Sequence, residues 1–539
     1  MSYPHPAAAL RAPARRGLRA AALLALAALL LAGAPGCGPR PRMLPAAERK
    51  PVDRAIVEGP AGFTFQRYIE NLTAPTAIAF DDRGALLIAE GGLDGRPPAI
   101  FGFRPDGTRF DVYRDPRLPF GIGAPDYKLY GPIGGMLFHE GKVYVTHRDR
   151  NRMGVISALG YDGSRTTIVA GMPAQGDYGL TDLSVGADGR LYFGIGTATN
   201  SGIVGLDNWQ VGWPRRYSKV HDKPWTKIRT RGVRMTSRNP LAGLFGPGEI
   251  AVTGVFQPFD VANKSWVYPP QNGKFNGAIY SCALDGGDLV AEAWGIRLPR
   301  GLAFNHLGTL FFTNNGMELR GTRPVKDDPD VLCKLVRKTW YGWPDYSADF
   351  NEITEPRYQP ALELLYSTGY DALLRGWFPS QSGAAKLVMV PRTGPFDRYH
   401  GSAIVALSGD RGPFATGNQK TIGPIGHKLV RVVVDNQQVE DFVRNTRGVP
   451  AHRLKKREIR EQALERPVDP KFGPDGALYI LDMGRMEVKN GRERVWAGTG
   501  QVFRLVPTQE PAAPGQPAGD VQEDNDLENP ADMPADEPQ

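Results

Sequence analysis

A unit of two short apolar strands joined by a glycine turn recurs along this 539-residue chain, and nothing else in the sequence limits the fold as tightly. It reads PTAIAFDDRGALLIAEGG from Pro75, GPIGGMLFHEGKVYVTHRD from Gly131 and YGLTDLSVGADGRLYFGIG from Tyr178. It returns as LPRGLAFNHLGTLFFTNNG from Leu298 and RPVDPKFGPDGALYILDMG from Arg466, with a degenerate copy, YHGSAIVALSGDRG, from Tyr399. The D-x-x-G, H-x-G and P-D-G segments inside these units are hairpin turns. Further apolar runs between them, such as GVISALGYDG, GAIYSCALDG and HKLVRVVVDN, supply the strands that would complete each blade. Six units predict an all-β fold: a six-bladed β-propeller of four-stranded blades over 62-506, closed into a ring with few free edges. Gly (65) and Pro (47) are abundant, which suits many tight turns, and only the charged run from Lys455 to Leu464 has a helical pattern.

The gap between the turn glycines Gly189 and Gly308 is too long for one blade and predicts an insertion at about 208-265. It carries Arg215, Arg216, Lys219, Lys223, Lys227, Arg229, Arg231, Arg234 and Arg238, with Asp222 the only acid among them. Such a run reads first as a solvated loop folded over the rim, and second as a holder of an anionic ligand or partner.

The repeat also makes a positional argument. Six residues after each turn glycine the second strand ends, at Glu90, His147, Ile195, Asn314, Leu407 and Asp482. If the units are equivalent, these residues circle one opening, and polar groups converging on a mouth are where function is expected. Glu90, Asn314 and Asp482 are oxygen donors of the kind calcium prefers; the alternative is that they cap strands. His147, the one histidine at a strand end of this ring, is a candidate base or a structural residue.

The two ends are set apart from the repeat. Arg11, Arg15, Arg16 and Arg19 precede the apolar run Ala20 to Ala32 and then AGAPGCG, the pattern of a signal peptide over 1-37 with Cys37 as a lipidation site. Export, to the periplasm-facing envelope as a lipoprotein or as a secreted protein, is expected, with 38-61 a linker. Residues 507-539 hold no Lys, Arg or aromatic residue and read as a disordered acidic tail. Cys282 and Cys333 form no zinc or haem motif; they are expected as two buried thiols, a pair being the alternative. No nucleophile elbow, phosphate loop, metalloprotease helix or dinucleotide fingerprint occurs, which excludes nicotinamide chemistry on a dinucleotide-binding domain. The modest net charge of +8 gives no reason to expect nucleic acid.

Several stretches, taken in order, resemble the glucose/sorbosone dehydrogenase family. They are DGRLYFGIGTATNSGIVG from Asp188, GIRLPRGLAF from Gly295, NNGMELRGTRPVKDDPDVLCKLVRKTWYGWPDY from Asn314 and RPVDPKFGPDGALYILDMG. The resemblance implies a six-bladed propeller, pyrroloquinoline quinone and Ca²⁺ as cofactors, and oxidation of a sugar or related alcohol or aldehyde. It implies quinone-holding roles for Arg297 and Arg466, although Leu298 replaces the asparagine that follows the first in the family. It also implies metal-facing carbonyls at Gly316 and Met317, where the family has Gly-Pro. The family's catalytic histidine falls at Tyr178, followed by Gly179. A free phenol ionises about three units above neutral pH, so a tyrosine there would need activation, for instance by Arg297 or a metal. Asp177 and Asp182 are the other acceptors in that segment. Three readings stay open: a quinoprotein-type dehydrogenase, a non-catalytic propeller binding glycan or an envelope partner, and a calcium-dependent lactone or ester hydrolase. The expected partner is a small-molecule sugar or related substrate, and the first reading needs a redox partner the sequence does not identify.

Overall fold

Six antiparallel sheets stand around a ring in the computed structural model. It describes residues 40–115, 128–230, 235–243, 246, 248–262, 265–353, 373–410, 424–489 and 491–508. Blade 1 is built from Pro75–Phe80, Leu86–Glu90, Ala99–Phe103 and Arg109–Tyr113. Blade 2 uses Met136–His139, Lys142–Arg148, Gly154–Leu159 and Arg165–Met172. Blade 3 uses Leu180–Val185, Leu191–Ile195, Ala278–Cys282 and Val290–Trp294, with Thr339–Trp340 added in parallel at its edge. Blade 4 uses Pro299–Phe304, Leu310–Asn314, Asp330–Lys334 and Leu374–Phe378. Blade 5 uses Ala384–Met389, Ser402–Leu407, Lys428–Val433 and Gln438–Asn445. Blade 6 joins Pro467–Phe472, Leu478–Asp482 and Gly500–Pro507 to the N-terminal strand Phe63–Leu72, which closes the ring.

Five of the repeat units found in the sequence are each the inner hairpin of one blade, and the degenerate copy from Tyr399 holds only the second strand of the blade 5 hairpin, whose first strand is Ala384–Met389. The turn glycine has a positive φ of 70–79° in all six cases, a conformation a side chain rarely takes. The neighbouring Asp or Asn fixes the turn: Asp81 Oδ1 accepts the Arg83 and Ala85 N–H groups, and Asn305 Oδ1 accepts those of Leu307 and Thr309.

The core lies between blades. One apolar cluster fills each of the six interfaces, as with Ile78, Phe101 and Leu481 between blades 1 and 6, or Tyr192, Phe312 and Val331 between blades 3 and 4. On the inner strands, charge replaces apolar contact. Lys386 Nζ of blade 5 lies 3.5 Å from Asp182 Oδ1 of blade 3 and 3.2 Å from Asp469 Oδ2 of blade 6. Asp182 Oδ2 in turn accepts the Leu302 N–H of blade 4, and Asp469 Oδ2 accepts the Ile78 N–H of blade 1. Five blades are thus tied through one lysine.

The expected insertion leaves blade 3 after Ile195 and returns at Ala278. It is folded rather than merely solvated. A helix over Leu206–Val211, a 3-10 turn over Trp213–Arg215 and two short ladders pack over the rim. Ile203, Val255 and Phe256 form a separate small core with Met317 and Trp343. Arg231 and Arg234 lie outside the described residues, as do Cys37 and most of the acidic tail. Cys282 and Cys333 are free, buried thiols.

Candidate functional site

Leu180 of blade 3 pairs with Ile195, and Pro299 of blade 4 pairs with Asn314, each at the end of an equivalent ladder. The residues two places earlier, Tyr178 and Arg297, therefore hold the same position on neighbouring blades. Their side chains meet. Arg297 Nη2 donates to Tyr178 Oη at 2.7 Å, and the guanidinium stands 5.0 Å from the centre of the phenol ring. The rest of that guanidinium is fixed by backbone and amide: Nε to Asn200 O at 3.2 Å, Nη2 to Asn200 Oδ1 at 3.0 Å, and Nη1 to Gly316 O at 2.6 Å.

A second cation reaches the same oxygen. Arg320, fully buried, donates from Nη2 to Tyr178 Oη at 3.3 Å and to Asp177 Oδ2 at 2.9 Å. Its Nε bonds Glu318 Oε2 at 2.5 Å, and its Nη1 bonds Asp207 Oδ2. Asp207 and Asn208 come from the insertion's helix, and Trp213 follows it. Asn208 Nδ2 and Trp213 Nε1 both donate to Asp177, the latter at 2.8 Å. The insertion thus completes the site. Burial works against the charge of Arg320, yet Asp177, Glu318, Tyr178 and Asp207 around it hold the guanidinium well above its ordinary value. Burial pushes the Asp207 carboxyl up to about 6 even with Arg320 opposing. Buried ion pairs of this kind are costly to form and costlier to break, at about 3–5 kcal/mol when one partner is lost.

The arrangement offers one phenolic oxygen that accepts from two guanidinium groups. Negative charge on that oxygen would be balanced where it forms, without reorganisation. Asp177 sits beside it but is committed to Arg320, Asn208 and Trp213.

The other residues singled out from the sequence take different places. His147 is buried and spent: Nδ1 bonds the Arg148 carbonyl at 2.7 Å and Nε2 meets Ser157 Oγ at 2.8 Å. Burial pushes its imidazole down to about 4. Arg466 donates Nη1 to the Ser408 and Gly409 carbonyls and Nη2 to that of Asp410, tying blade 6 to blade 5. Glu90, Asn314 and Asp482 share one register position and turn back on their own blades. Glu90 Oε1 accepts the Thr73 N–H, Asn314 Oδ1 that of Leu298, and Asp482 those of Glu465, Arg466 and Gly484. They act as clamps on the backbone entering the innermost strand. Burial raises the Glu90 carboxyl and pushes that of Asp482 up to about 7.

No group of three or more His, Cys, Asp or Glu placed to hold a metal occurs among the described residues. Met317 packs in the rim cluster, its N–H on Asp328. Calcium does not fit at Gly316 as the residues stand. Its oxygen already receives a guanidinium at 2.6 Å, and a calcium ion would need that oxygen at about 2.3–2.6 Å while facing a like charge. The quinone, an acidic ligand, fits in charge: Arg148 lies against Gly179, next to Tyr178, and its buried Nε has no hydrogen-bond partner.

Arg320, Asn200, Glu318, Asp207, Asn208 and Trp213 carried no sequence signal. Arg320 lies inside the NNGMELRG stretch, and nothing in its spacing shows that it folds back on Tyr178.

No family model and no curated protein matches the chain. Solved structures do, distantly. The holo PQQ domain of pyranose dehydrogenase from Coprinopsis cinerea is 13% identical over 84% of this chain and 98% of its own, with a TM-score of 0.49. A calcium structure of the Trichoderma reesei carbohydrate-active enzyme family AA12 is 14% identical over 85% and 99%, at 0.46. PQQ-bound aldose sugar dehydrogenase from Streptomyces coelicolor is 14% identical over 83% and 99%, at 0.44. At these values the likeness carries no activity across to this chain.

Proposed function

We propose that this chain is a quinoprotein-type dehydrogenase that oxidises a hydroxyl of a sugar or related alcohol, with Tyr178 taking the proton. One observation carries the reading: Tyr178 and Arg297, given roles in the reaction by the family resemblance, lie 119 residues apart and meet at 2.7 Å in the mouth. Tyr178 Oη accepts the hydroxyl proton, and Arg297 and Arg320 offset the charge that the oxygen carries before it does so. Asp177 and Glu318 hold Arg320 in place, and the insertion's helix adds Asp207 and Asn208 to the network. When bound, the quinone supplies the hydride acceptor. Arg148, whose buried Nε has no hydrogen-bond partner, is the residue we assign to hold it, because the Arg297 guanidinium is taken up by Asn200, Gly316 and Tyr178.

The test is a titration of purified protein with pyrroloquinoline quinone, with and without calcium, followed by absorbance and calorimetry. The quinone is expected to bind, and calcium to change neither its affinity nor the melting temperature. Absence of quinone binding overturns the reading.

A non-catalytic glycan-binding propeller is the second reading. Arg466, the other arginine given to the quinone, is spent on three backbone carbonyls of blade 5, which favours it. In either case we place the protein in the cell envelope, anchored through Cys37. Wild type should fractionate with membranes and Cys37→Ala should not; a wild type found wholly in the soluble fraction contradicts the anchor.

A further inference from the structure

Beside the Tyr178 network the mouth holds a second group of polar side chains, among them Arg148, to which the quinone was assigned above. The register that aligns the six second strands also aligns the residue after each: Gly91, Arg148, Gly196, Asn315, Ser408 and Met483. Only blade 2 places a charge there. Arg148 is 7% exposed and lies against the backbone of Gly179, where an added Cβ would stand 3.3 Å from both Nε and Nη2.

Three buried polar atoms there lack a partner: Arg148 Nε, Arg152 Nε and Tyr217 Oη. They share one locality. Burial, then the charge of Arg152, pushes the Arg148 guanidinium down to about 9, while Glu493, Asp177 and Tyr217 oppose the shift. The same three groups act on Arg152, which burial also lowers.

Each member is held by the fold. Arg152 sits at φ 62° in a turn whose Asp149 Oδ1 accepts the Asn151 and Met153 N–H groups. Tyr217 follows the 3-10 turn that Trp213 anchors on Asp177. Asp177 cannot serve as the missing acceptor, because Arg320, Asn208 and Trp213 occupy it. Among the described residues no ion pair within 4 Å includes Arg148 or Arg152, although the charge of Glu493 acts on both. Arg148 is buried, while Arg152 and Tyr217 are half-buried with only the Nε and Oη atoms out of reach of water. Buried donors without an acceptor are expensive to keep, and three of them in one place, two on cations, call for an anion.

We infer that Arg148, Arg152 and Tyr217 form a site for the carboxylate of a small molecule bound beside Tyr178, so that the sugar this mouth takes is an acidic one. The inference rests on the reading of the mouth as a sugar site. The carboxylates of the quinone offer the same chemistry, and the test separates the two sources.

Purified protein without quinone is titrated calorimetrically with glucuronate, glucose and inorganic phosphate, and in a parallel arm with pyrroloquinoline quinone. Glucuronate is expected to bind at least tenfold more tightly than glucose, with an affinity that falls as salt is added. Arg148→Gln and Arg152→Gln should each weaken it at least tenfold, and Arg148→Gln should melt no lower than wild type. If only the quinone binds, and Arg148→Gln weakens it, the carboxylate belongs to the quinone and the acidic-sugar assignment falls. Phosphate binding as tightly as glucuronate, or unaltered binding in both variants, overturns the site. Oxidation of a neutral aldose by a protein that binds no glucuronate would defeat this inference and leave the dehydrogenase reading standing. Glucuronate binding without any quinone binding would do the reverse.

Discussion

A phenol can take over an acceptor's role from an imidazole only where cations face it, and Tyr178 is faced by two. The contact with Arg297 was anticipated from the sequence, where Arg297 or a metal was the candidate neighbour for a tyrosine standing at the family's histidine position. Arg320 was not, since its partners come from Asp177, Asp207 and Glu318, on segments whose approach only the tertiary fold decides. His147 shows the converse. Its place at a strand end was read correctly, but both ring nitrogens are consumed within its own blade. This has a consequence for stability. The folded imidazole is pushed down to about 4 from an ordinary value of 6.5, so between those values the unfolded chain binds the extra proton. The contribution is complete above pH 6.5 and is lost as pH falls toward 4. At pH 5 the loss is about 2 kcal/mol, from about 1.4 kcal/mol per unit. Denaturant unfolding of wild type and His147→Gln across pH 5–8 should show the variant losing less on acidification. Parallel curves would contradict the assignment.

Among the elements, the inner hairpins carried nearly all the legible signal. Their alternation, their Asx turns and glycines that need positive φ leave a periodic trace. The strand-end register they implied is real: Glu90, Asn314 and Asp482 pair with Pro75, Pro299 and Pro467 in turn. Register does not say where a side chain points once past the ladder, and these three bend back to N–H groups of the incoming chain. The lysine that joins the inner strands was equally silent. Lys386 reads as an ordinary polar residue in AAKLVM until the ring closes around it. Lys386→Met should cost up to about 3–5 kcal/mol, because Asp182 and Asp469 would remain buried with only Lys471, 3.4 Å from Asp469, to offset their charge. Burial already raises the Asp182 carboxyl, so its charge costs the fold more as pH rises above the ordinary carboxylate range. The variant's deficit should therefore be larger at pH 8 than at pH 5; a deficit that does not change with pH would show that Lys386 is a packing residue only.

For the whole molecule, closure decides what the mouth can be. The strand Phe63–Leu72 completes the last blade, the six apolar interfaces fix the blades side by side, and the insertion folds down to supply Asp207, Asn208 and Trp213. The ring was predictable from repeats, whereas the rim was not, since an insertion without periodicity gives no sign of which face it will cover. What results is a closed ring with one phenol facing two guanidinium groups at its mouth. The most direct measurement of that claim is the single-turnover rate of quinone reduction by substrate in wild type and Tyr178→Phe, with quinone affinity measured alongside by calorimetry. The account predicts a rate lower by about a hundred- to ten-thousand-fold with affinity unchanged, the range for losing a general base. A Tyr178→Phe protein that binds quinone and reduces it at the wild-type rate would contradict it.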